Sequence, residues 1–243
     1  GALPYEPVFL VHRETPREGF RGFRTVELRS RFLSSWELLE IPGALARLRA
    51  DLYHSPTFSS LRAAPCPWVV TVHDLNHLTF GSRFQKIYYR ALLRPFARKS
   101  SALLTVSEFS KQELGEWLSV PADSIEVVPN ALDPALELPV PEAEKLEVLR
   151  RHGLQAGRYF LCLSNPKPHK NVALLVAAFQ RFRDEAGLQD GEWPLVLSFP
   201  DFSGVPGVVS LSGVPDSEGR ALLQAAGAVC FPSLYEGFGL PPV

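Results

Sequence analysis

Several residue types and patterns are missing from the sequence, and each absence narrows the class of protein. Its 243 residues include no methionine and only three cysteines, Cys66, Cys162 and Cys230. Because that number is odd and two of them lie in apolar strand-like runs, we expect reduced, buried thiols. The net charge of −1 lacks the basic excess that a general nucleic-acid binder normally carries.

The chain also lacks the segments that direct a protein into or across a membrane. No apolar run reaches the ~20 residues of a membrane-spanning helix, and no signal peptide is visible. We therefore expect a cytoplasmic protein. Because there is no start residue and the last run, 240–243, stops inside a motif, we expect further residues at both ends.

Three common catalytic motifs are absent. There is no Gly-x-x-x-x-Gly-Lys-Ser/Thr, which argues against a P-loop ATPase. There is no Gly-x-Ser-x-Gly, the nucleophile turn of many hydrolases. There is no Asp-x-Asp, so the carboxylates that usually hold a metal-bound diphosphate are missing.

Short apolar runs alternate with helix-like patterns along the chain. Most runs are continuously apolar, and the alternation predicts an α/β protein with parallel sheets flanked by helices. The predicted strands are 8–12, 52–54, 68–72, 102–106, 125–128, 159–163, 195–199, 208–211 and 228–231. The predicted helices lie near 43–50, 83–99, 108–118, 142–152, 171–186 and 216–226. The stretch 133–141 is rich in proline and acidic residues, so we place the domain boundary there, giving domains 1–140 and 141–243.

The residues after one predicted strand carry an unusual charge pattern. Lys167, His169 and Lys170 come just before a predicted helix, whose N-terminus already bears partial positive charge. Cations are expected there if an anion lies between them and the helix, and a diphosphate fits because lysine contacts phosphate without one fixed geometry. A solvated loop with incidental lysines is the alternative.

A second polar stretch follows the last predicted strand. Glu236 is its only acid, and the glycines on either side of Phe238, Gly237 and Gly239, allow a ligand to approach bare backbone N–H groups. An ordinary turn is the alternative. Because ligands in open parallel sheets bind beyond the carboxyl ends of strands, both stretches are candidate binding loops.

Histidines follow another strand, in the first half of the chain. His73 and His77 are four residues apart, but this spacing favours a metal site only on a helix. We expect His73 to form hydrogen bonds in a cleft, or simply to bond backbone at the strand end. Ser107 is the predicted N-cap of a helix, and Asp74 and Asn130 are further polar residues at strand ends.

The segment 83–99 combines apolar and basic residues at roughly helical spacing. Such a basic amphipathic helix can rest on an anionic membrane surface. A solvated helix face is the alternative. Pro95 is predicted to kink or shorten the helix. The cations are Arg83, Lys86, Arg90, Arg94, Arg98 and Lys99.

Taken together, these motifs resemble those of the family 4 glycosyltransferases, retaining enzymes of the GT-B fold, and among them the bacterial mannosyltransferase-like members. The matching stretches keep the family's order and span nearly the whole chain: 71–75, 106–110, 127–130, 167–171 and 232–242. The resemblance implies two Rossmann-like domains facing a cleft. It implies a nucleotide-sugar donor, GDP- or UDP-linked, and a saccharide or lipid-linked acceptor in cell-surface polysaccharide synthesis. It also implies no metal or other cofactor, in line with the missing Asp-x-Asp.

The resemblance implies roles for individual residues. Lys170 matches the lysine that contacts the donor diphosphate, and Glu236 matches the first glutamate of a Glu-x7-Glu motif beside the donor sugar. The Gly237–Gly239 backbone would offer amides to the donor, and His73 matches a first-domain histidine that reaches over it. Preorganised charges of this kind at a leaving group supply much of an enzyme's rate enhancement.

Some features depart from the family pattern. Asn165 stands where many members have an arginine, a role that Lys167 could take over, and Ala131 replaces a usual glycine. The second motif glutamate would fall one position past Val243, and the glycine-rich loop of the first strand would precede Gly1, so we expect both domains to be incomplete. Two other functions stay open: a GT-B sugar-nucleotide epimerase or phosphorylase relative, and a non-catalytic interaction module.

Overall fold

The computed structural model describes residues 5–57, 59–132 and 134–239. The chain divides into two compact units, Gly1–Pro129 and Asn130–Val243. Residues 240–242 of the last motif, and the loop expected before Gly1, lie outside the described residues. Within the described residues, no helix is long and apolar enough to cross a membrane.

The first unit contains parallel strands and the helices that connect them. Its strands are β1 Val8–His12, β2 Arg24–Leu28, β3 Tyr53–Ser55, β4 Trp68–Thr71, β5 Ala102–Thr105 and β6 Ile125–Val127. Its helices are α1 Glu37–Leu48, α2 Asn76–Thr79, α3 Arg83–Tyr88, α4 Arg94–Arg98 and α5 Glu108–Leu118. Strands β3 to β6 form one parallel sheet in the order β3-β4-β5-β6, while β1 and β2 form a separate parallel pair.

The core of this unit explains why these strands are so apolar. Val70, Leu103 and Ile125 come from three neighbouring strands and are almost fully buried. They share one cluster with Leu45 of α1 and Leu114 of α5, so helices cover the sheet as the alternating pattern predicts.

The basic segment 83–99 is helical from Arg83 to Arg98, but its middle turn is widened. A capping box of Ser82 and Gln85 starts α3. The residues Tyr89–Leu93 form a π turn, in which the Arg94 N–H donates to the Tyr89 carbonyl, and α4 follows directly. Pro95 has no N–H to donate, so the wider turn lets the helical path continue where we expected a kink or an early end.

The second unit is built in the same way. Its strands are β7 Phe160–Cys162, β8 Leu195–Leu197, β9 Val208–Ser210 and β10 Ala228–Val229, in the parallel order β10-β7-β8-β9. Its helices are α6 Pro134–Glu137, α7 Glu142–His152, α8 Val172–Ala186 and α9 Asp216–Ala225. Leu222 of α9 packs with Leu161 in one cluster and Phe179 of α8 packs with Cys162 in another, so both faces of the sheet are covered.

Several details differ from the sequence expectations, among them the short helices α2 and α6, which were not predicted. Strand β2 was not predicted, because its residues are mostly exposed and polar. Helix α1 begins at Glu37 rather than near 43, since Pro42 lies inside the helix instead of starting it. Cys66 and Cys162 are buried, as expected, whereas Cys230 is only half-buried; all three thiols are free.

Candidate functional site

The two candidate loops of the second unit lie at the same edge of its sheet. Strands β7 and β10 are parallel neighbours, with Ala228 opposite Phe160 and Val229 opposite Leu161. The Cys230 N–H continues the pairing by donating to the Leu161 carbonyl at 2.7 Å. The loops that leave these strands, 163–171 and 230–239, therefore start side by side, where parallel sheets bind ligands.

The loop after β7 is fixed by local hydrogen bonds. The Asn165 Oδ1 accepts from the Lys167 N–H at 3.2 Å, so this side chain closes a turn. Residues Pro168–Lys170 form a single 3₁₀ turn, and Asn171 then takes a left-handed conformation with φ +53°. Helix α8 begins only at Val172. The two lysines thus precede the helix and are not part of its first turn.

Lys170 and Glu236 form an ion pair across the two loops. The distance from Lys170 Nζ to Glu236 Oε1 is 2.5 Å, and the side chains are 16% and 24% exposed. Two further contacts join the loops: the Leu234 N–H donates to the His169 carbonyl at 2.8 Å, and Asn171 Nδ2 donates to the Pro232 carbonyl at 3.3 Å. The positive charge of Lys170 is therefore balanced by the Glu236 carboxylate.

This pair can still receive an anion. A lysine ammonium has three N–H donors, so the contact with Glu236 leaves donors for a further partner. The ammonium also lies 5.9 Å from the centre of the Phe231 ring. Nearby, Gly239 has φ +84°, a conformation that costs an L-residue about 1–2 kcal/mol. Position 239 therefore favours glycine.

The cysteines beside this site are protonated structural residues. Burial, together with a smaller effect of Cys230 and against an opposing effect of Lys170, raises the pKa of the Cys162 thiol to about 11. Burial also raises the pKa of Cys230. Since a thiol attacks as its thiolate, neither residue is suited to nucleophilic catalysis at neutral pH.

In the first unit, His73 bonds to backbone. Its Nε2 lies 2.9 Å from the Pro56 carbonyl, and because a carbonyl only accepts, Nε2 carries a proton. The His73 carbonyl in turn accepts from the buried Ser110 hydroxyl at 3.0 Å. His77 has a different partner, with Nδ1 3.0 Å from the Tyr89 hydroxyl oxygen. Among the described residues, no group of three or more potential metal ligands occurs.

The remaining candidates have clear structural contacts. Asp74 Oδ1 accepts from the Asn76 N–H at 3.0 Å and so fixes the start of α2. Ser107 Oγ accepts from the Ser110 N–H at 3.1 Å, which confirms the predicted N-cap of α5. Asn130 is half-buried and follows β6 at the carboxyl end of that strand.

The sequence analysis missed the direct pairing of Lys170 with Glu236. The two residues are 66 positions apart, and only the sheet order makes their loops neighbours. It also missed a buried pair in the first unit, in which His12 Nε2 lies 2.9 Å from Glu37 Oε1. No motif in the sequence marks that second pair.

The fold and this site define a class of α/β proteins. Its members have parallel sheets and a polar site, here containing Lys170, beyond the carboxyl ends of the strands. A family model described as Glycosyltransferase Family 4 matches residues 3–136, more than half of the chain. The chain belongs to this family of glycosyltransferases.

Named relatives agree with this assignment. The chain is 30% identical to "O-antigen chain mannosyltransferase B" of Escherichia coli over 82% of this chain and 55% of that protein. It is 27% identical to "O-antigen chain mannosyltransferase RfbU" of Salmonella typhimurium over 72% of this chain and 48% of that protein. The chain thus spans about half the length of these relatives.

Solved structures support the fold. WaaG, a glycosyltransferase involved in lipopolysaccharide biosynthesis, matches with a TM-score of 0.67 at 14% identity over 96% of this chain and 68% of that one. Anabaena Alr3699/HepE, solved with UDP and glucose, matches with a TM-score of 0.63 at 16% identity over 90% of this chain and 64% of that one. These likenesses confirm the expected α/β fold class of the GT-B proteins, with a Rossmann-like parallel sheet in each unit.

Proposed function

We propose that the full-length protein is a retaining hexosyltransferase that moves a sugar from a nucleotide-sugar donor to a saccharide or lipid-linked acceptor. Mannose is the first donor sugar to test, because the named relatives are mannosyltransferases. The pathway would be synthesis of a cell-surface polysaccharide. We place the protein in the cytoplasm, where nucleotide sugars are made.

The observation that carries the proposal is the Lys170–Glu236 pair at the sheet edge. Its lysine supplies a partly shielded cation for a diphosphate, and its carboxylate stands within contact distance of the same ammonium. A diphosphate bound to Lys170 would therefore bring its sugar close to Glu236. That is the arrangement a donor site needs, because negative charge develops on the leaving diphosphate during transfer.

Each site residue has a proposed part in this reaction. Lys170 contacts the diphosphate, and the exposed Lys167 adds positive charge at the mouth of the loop. Asn165 holds the turn that presents Lys167. The Gly237, Phe238 and Gly239 backbone offers N–H groups to the sugar or phosphate. We assign Glu236 a place beside the sugar.

The first unit would serve the acceptor side. His73 is proposed to take part in catalysis through Nδ1, the ring nitrogen that does not bond the Pro56 carbonyl. Asp74 and Ser107 lie at strand ends of the same unit and would shape that surface. Asn130, the first residue of the second unit, follows β6 and is a further candidate. The basic segment 83–99 would rest on the membrane that carries a lipid-linked acceptor.

A transfer assay tests the proposal directly. The full-length protein is incubated with radiolabelled GDP-mannose or UDP-sugars and with lipid-linked saccharides extracted from cells. We expect label in the acceptor from one donor, with the anomeric configuration retained. Conversion of the donor alone would indicate an epimerase, and use of inorganic phosphate would indicate a phosphorylase relative.

Two variants and a matched control make the assay specific. Glu236→Ala and Lys170→Ala should each lower kcat/KM by about 10²-fold or more, as for other groups that stabilise transition-state charge. Lys145 is the control, because its Nζ lies 2.5 Å from Glu142 and its side chain is also 16% exposed. If Glu236→Ala left the biological function intact, a non-catalytic interaction module would be favoured.

A further inference from the structure

A cavity with a volume of about 420 Å³ lies beside the strand pair β1–β2 of the first unit. Ligand sites for small molecules have volumes of about 300–1,000 Å³, so the cavity is large enough for one. None of its lining residues belongs to the donor site proposed above. We call it the β2 cavity, and its lining consists of Arg17, Phe20, Phe23, Thr25 and Glu27.

The register of β1 and β2 explains which face of the pair carries the cavity. Thr25 of β2 is the parallel partner of Phe9 on β1, and Glu27 follows two residues later on β2. Because side chains alternate along a strand, these three side chains lie on one face of the pair. Leu28 lies on the opposite face and is buried in the main core of the unit. The β2 cavity is therefore on the face that points away from that core.

The segment between the two strands supplies an aromatic wall. The ring centre of Phe9 lies 5.1 Å from that of Phe20 and 5.2 Å from that of Phe23, in tilted and edge-on arrangements. These contacts hold the Phe23 ring in place, and it is still 46% exposed where it lines the cavity. Packed rings under a loop often form only a small core, so the rest of the lining decides whether a ligand binds.

The other wall offers hydrogen-bond donors and acceptors side by side. Arg17 Nη2 lies 2.7 Å from Glu27 Oε2, and these side chains are 42% and 49% exposed. Arg13 Nε approaches the second carboxylate oxygen at 3.4 Å. A guanidinium has five N–H donors and a carboxylate about four acceptor sites, so both groups keep capacity for a ligand. The exposed Thr25 hydroxyl adds a group that both donates and accepts.

We propose that the β2 cavity binds a sugar unit of a neutral saccharide chain. Sugar hydroxyls both donate and accept, which suits the polar wall, and the C–H groups of a sugar ring can pack on Phe23. An apolar ligand fits less well, because it would desolvate the Arg17–Glu27 pair. A phosphate fits less well, because it would meet the Glu27 carboxylate. Binding needs no transfer activity, whereas its use, to hold the saccharide acceptor, rests on the proposed function.

Saturation-transfer NMR with an α-linked mannotriose tests the proposal on the full-length protein without nucleotide. Mannose is the first sugar to try, because the named relatives are mannosyltransferases. We expect saturation transfer at millimolar sugar, since a site open to solvent orders its ligand at a cost. Inorganic phosphate at constant ionic strength should leave the sugar signal unchanged. No transfer to the sugar, or its displacement by phosphate, would overturn the proposal.

Two variants and two matched controls locate the binding. Phe23→Ser and Glu27→Gln should each raise the Kd for mannotriose about fivefold or more, because one removes the packing ring and the other a charged acceptor. Phe182→Ser is the control for the ring, since Phe182 is 43% exposed in the second unit. Glu185→Gln is the control for the carboxylate, since Glu185 pairs with Arg181 at 2.7 Å. Wild-type affinity in both cavity variants, or an equal loss in the controls, would refute the site.

A second readout separates this inference from the proposed donor site. Lys170→Ala should keep mannotriose binding and lose thermal stabilisation by nucleotide, whereas Phe23→Ser should show the opposite pattern. If the wild type bound mannotriose in the β2 cavity but no nucleotide, the donor site would be refuted and the cavity supported. If it bound nucleotide but no mannotriose, the β2 cavity would be refuted and the donor site supported.

Discussion

Replacing Glu236 by glutamine should strengthen nucleotide binding while weakening catalysis. In the structure Lys170 Nζ donates a hydrogen bond to Glu236 Oε1 at 2.5 Å, so one of its N–H groups is already used. A diphosphate must share or displace that contact, and it also meets the negative charge of Glu236. The uncharged amide of glutamine removes this repulsion and competes less strongly for the ammonium.

The size of the effect follows from the exposure of the pair. Exposed ion pairs contribute about 0–1 kcal/mol, while breaking a fully buried one costs about 3–5 kcal/mol. With side chains 16% and 24% exposed, this pair lies between these limits. If about 1 kcal/mol of its attraction is released to the diphosphate, the Kd for the free nucleoside diphosphate falls about fivefold.

Lys170→Ala should change binding in the opposite direction. It removes a charge-assisted contact of about 1.5–3 kcal/mol, so the Kd should rise by about 10- to 100-fold. Isothermal titration calorimetry with GDP and UDP measures the Kd of both variants and so tests whether it falls in Glu236→Gln and rises in Lys170→Ala. Lys145→Ala is the control. If Glu236→Gln weakened binding as much as Lys170→Ala, the ion pair would serve to hold the two loops together, and our reasoning would be wrong.

Four further predictions test other parts of the structure. Ser107→Ala should lower stability by about 1 kcal/mol, seen as a lower Tm with unchanged nucleotide affinity, because only the N-cap of α5 is lost. Gly239→Ala should cost about 1–2 kcal/mol in stability and also weaken donor binding, since φ +84° becomes strained; an unchanged Tm would contradict the turn. Because burial raises the pKa of Cys162 from 9.0 to about 11, the unfolded chain loses its proton first as pH rises. Stability should therefore fall between about pH 9 and about pH 11, and Cys162→Ala should reduce that loss in urea titrations at several pH values. EDTA should leave transfer intact, and a loss restored by a divalent cation would refute metal-independent transfer.

Much of the fold could be predicted because its strands are short, continuous apolar runs. Nearly every predicted strand lies within one or two residues of an observed one, as for 8–12 and 102–106. Strand β2 escaped notice because its exposed residues carry no apolar pattern. Helix α1 was placed too late because proline usually starts a helix, whereas Pro42 lies inside this one.

The individual residues of the candidate site could be predicted from the sequence, but the contact between them could not. Motif residues after strands 159–163 and 228–231 marked Lys170 and Glu236 as candidates, because strand ends of parallel sheets bind ligands. Their mutual contact was not predictable, because the two residues are 66 positions apart and only the pairing of β10 with β7 brings their loops together. The sequence also suggested that Lys170 is repelled by the positive end of a helix. In the structure, the left-handed Asn171 separates Lys170 from the first residue of α8, which could not be predicted from the sequence.

The most direct test of the account is nucleotide binding at Lys170. Thermal shifts of the full-length protein would be recorded with GDP, UDP and ADP, alone and as their common sugar conjugates, for wild type, Lys170→Ala and Lys145→Ala. We predict stabilisation by one nucleotide series in wild type and Lys145→Ala, and none in Lys170→Ala. No shift in wild type, or an equal shift in Lys170→Ala, would contradict the donor site.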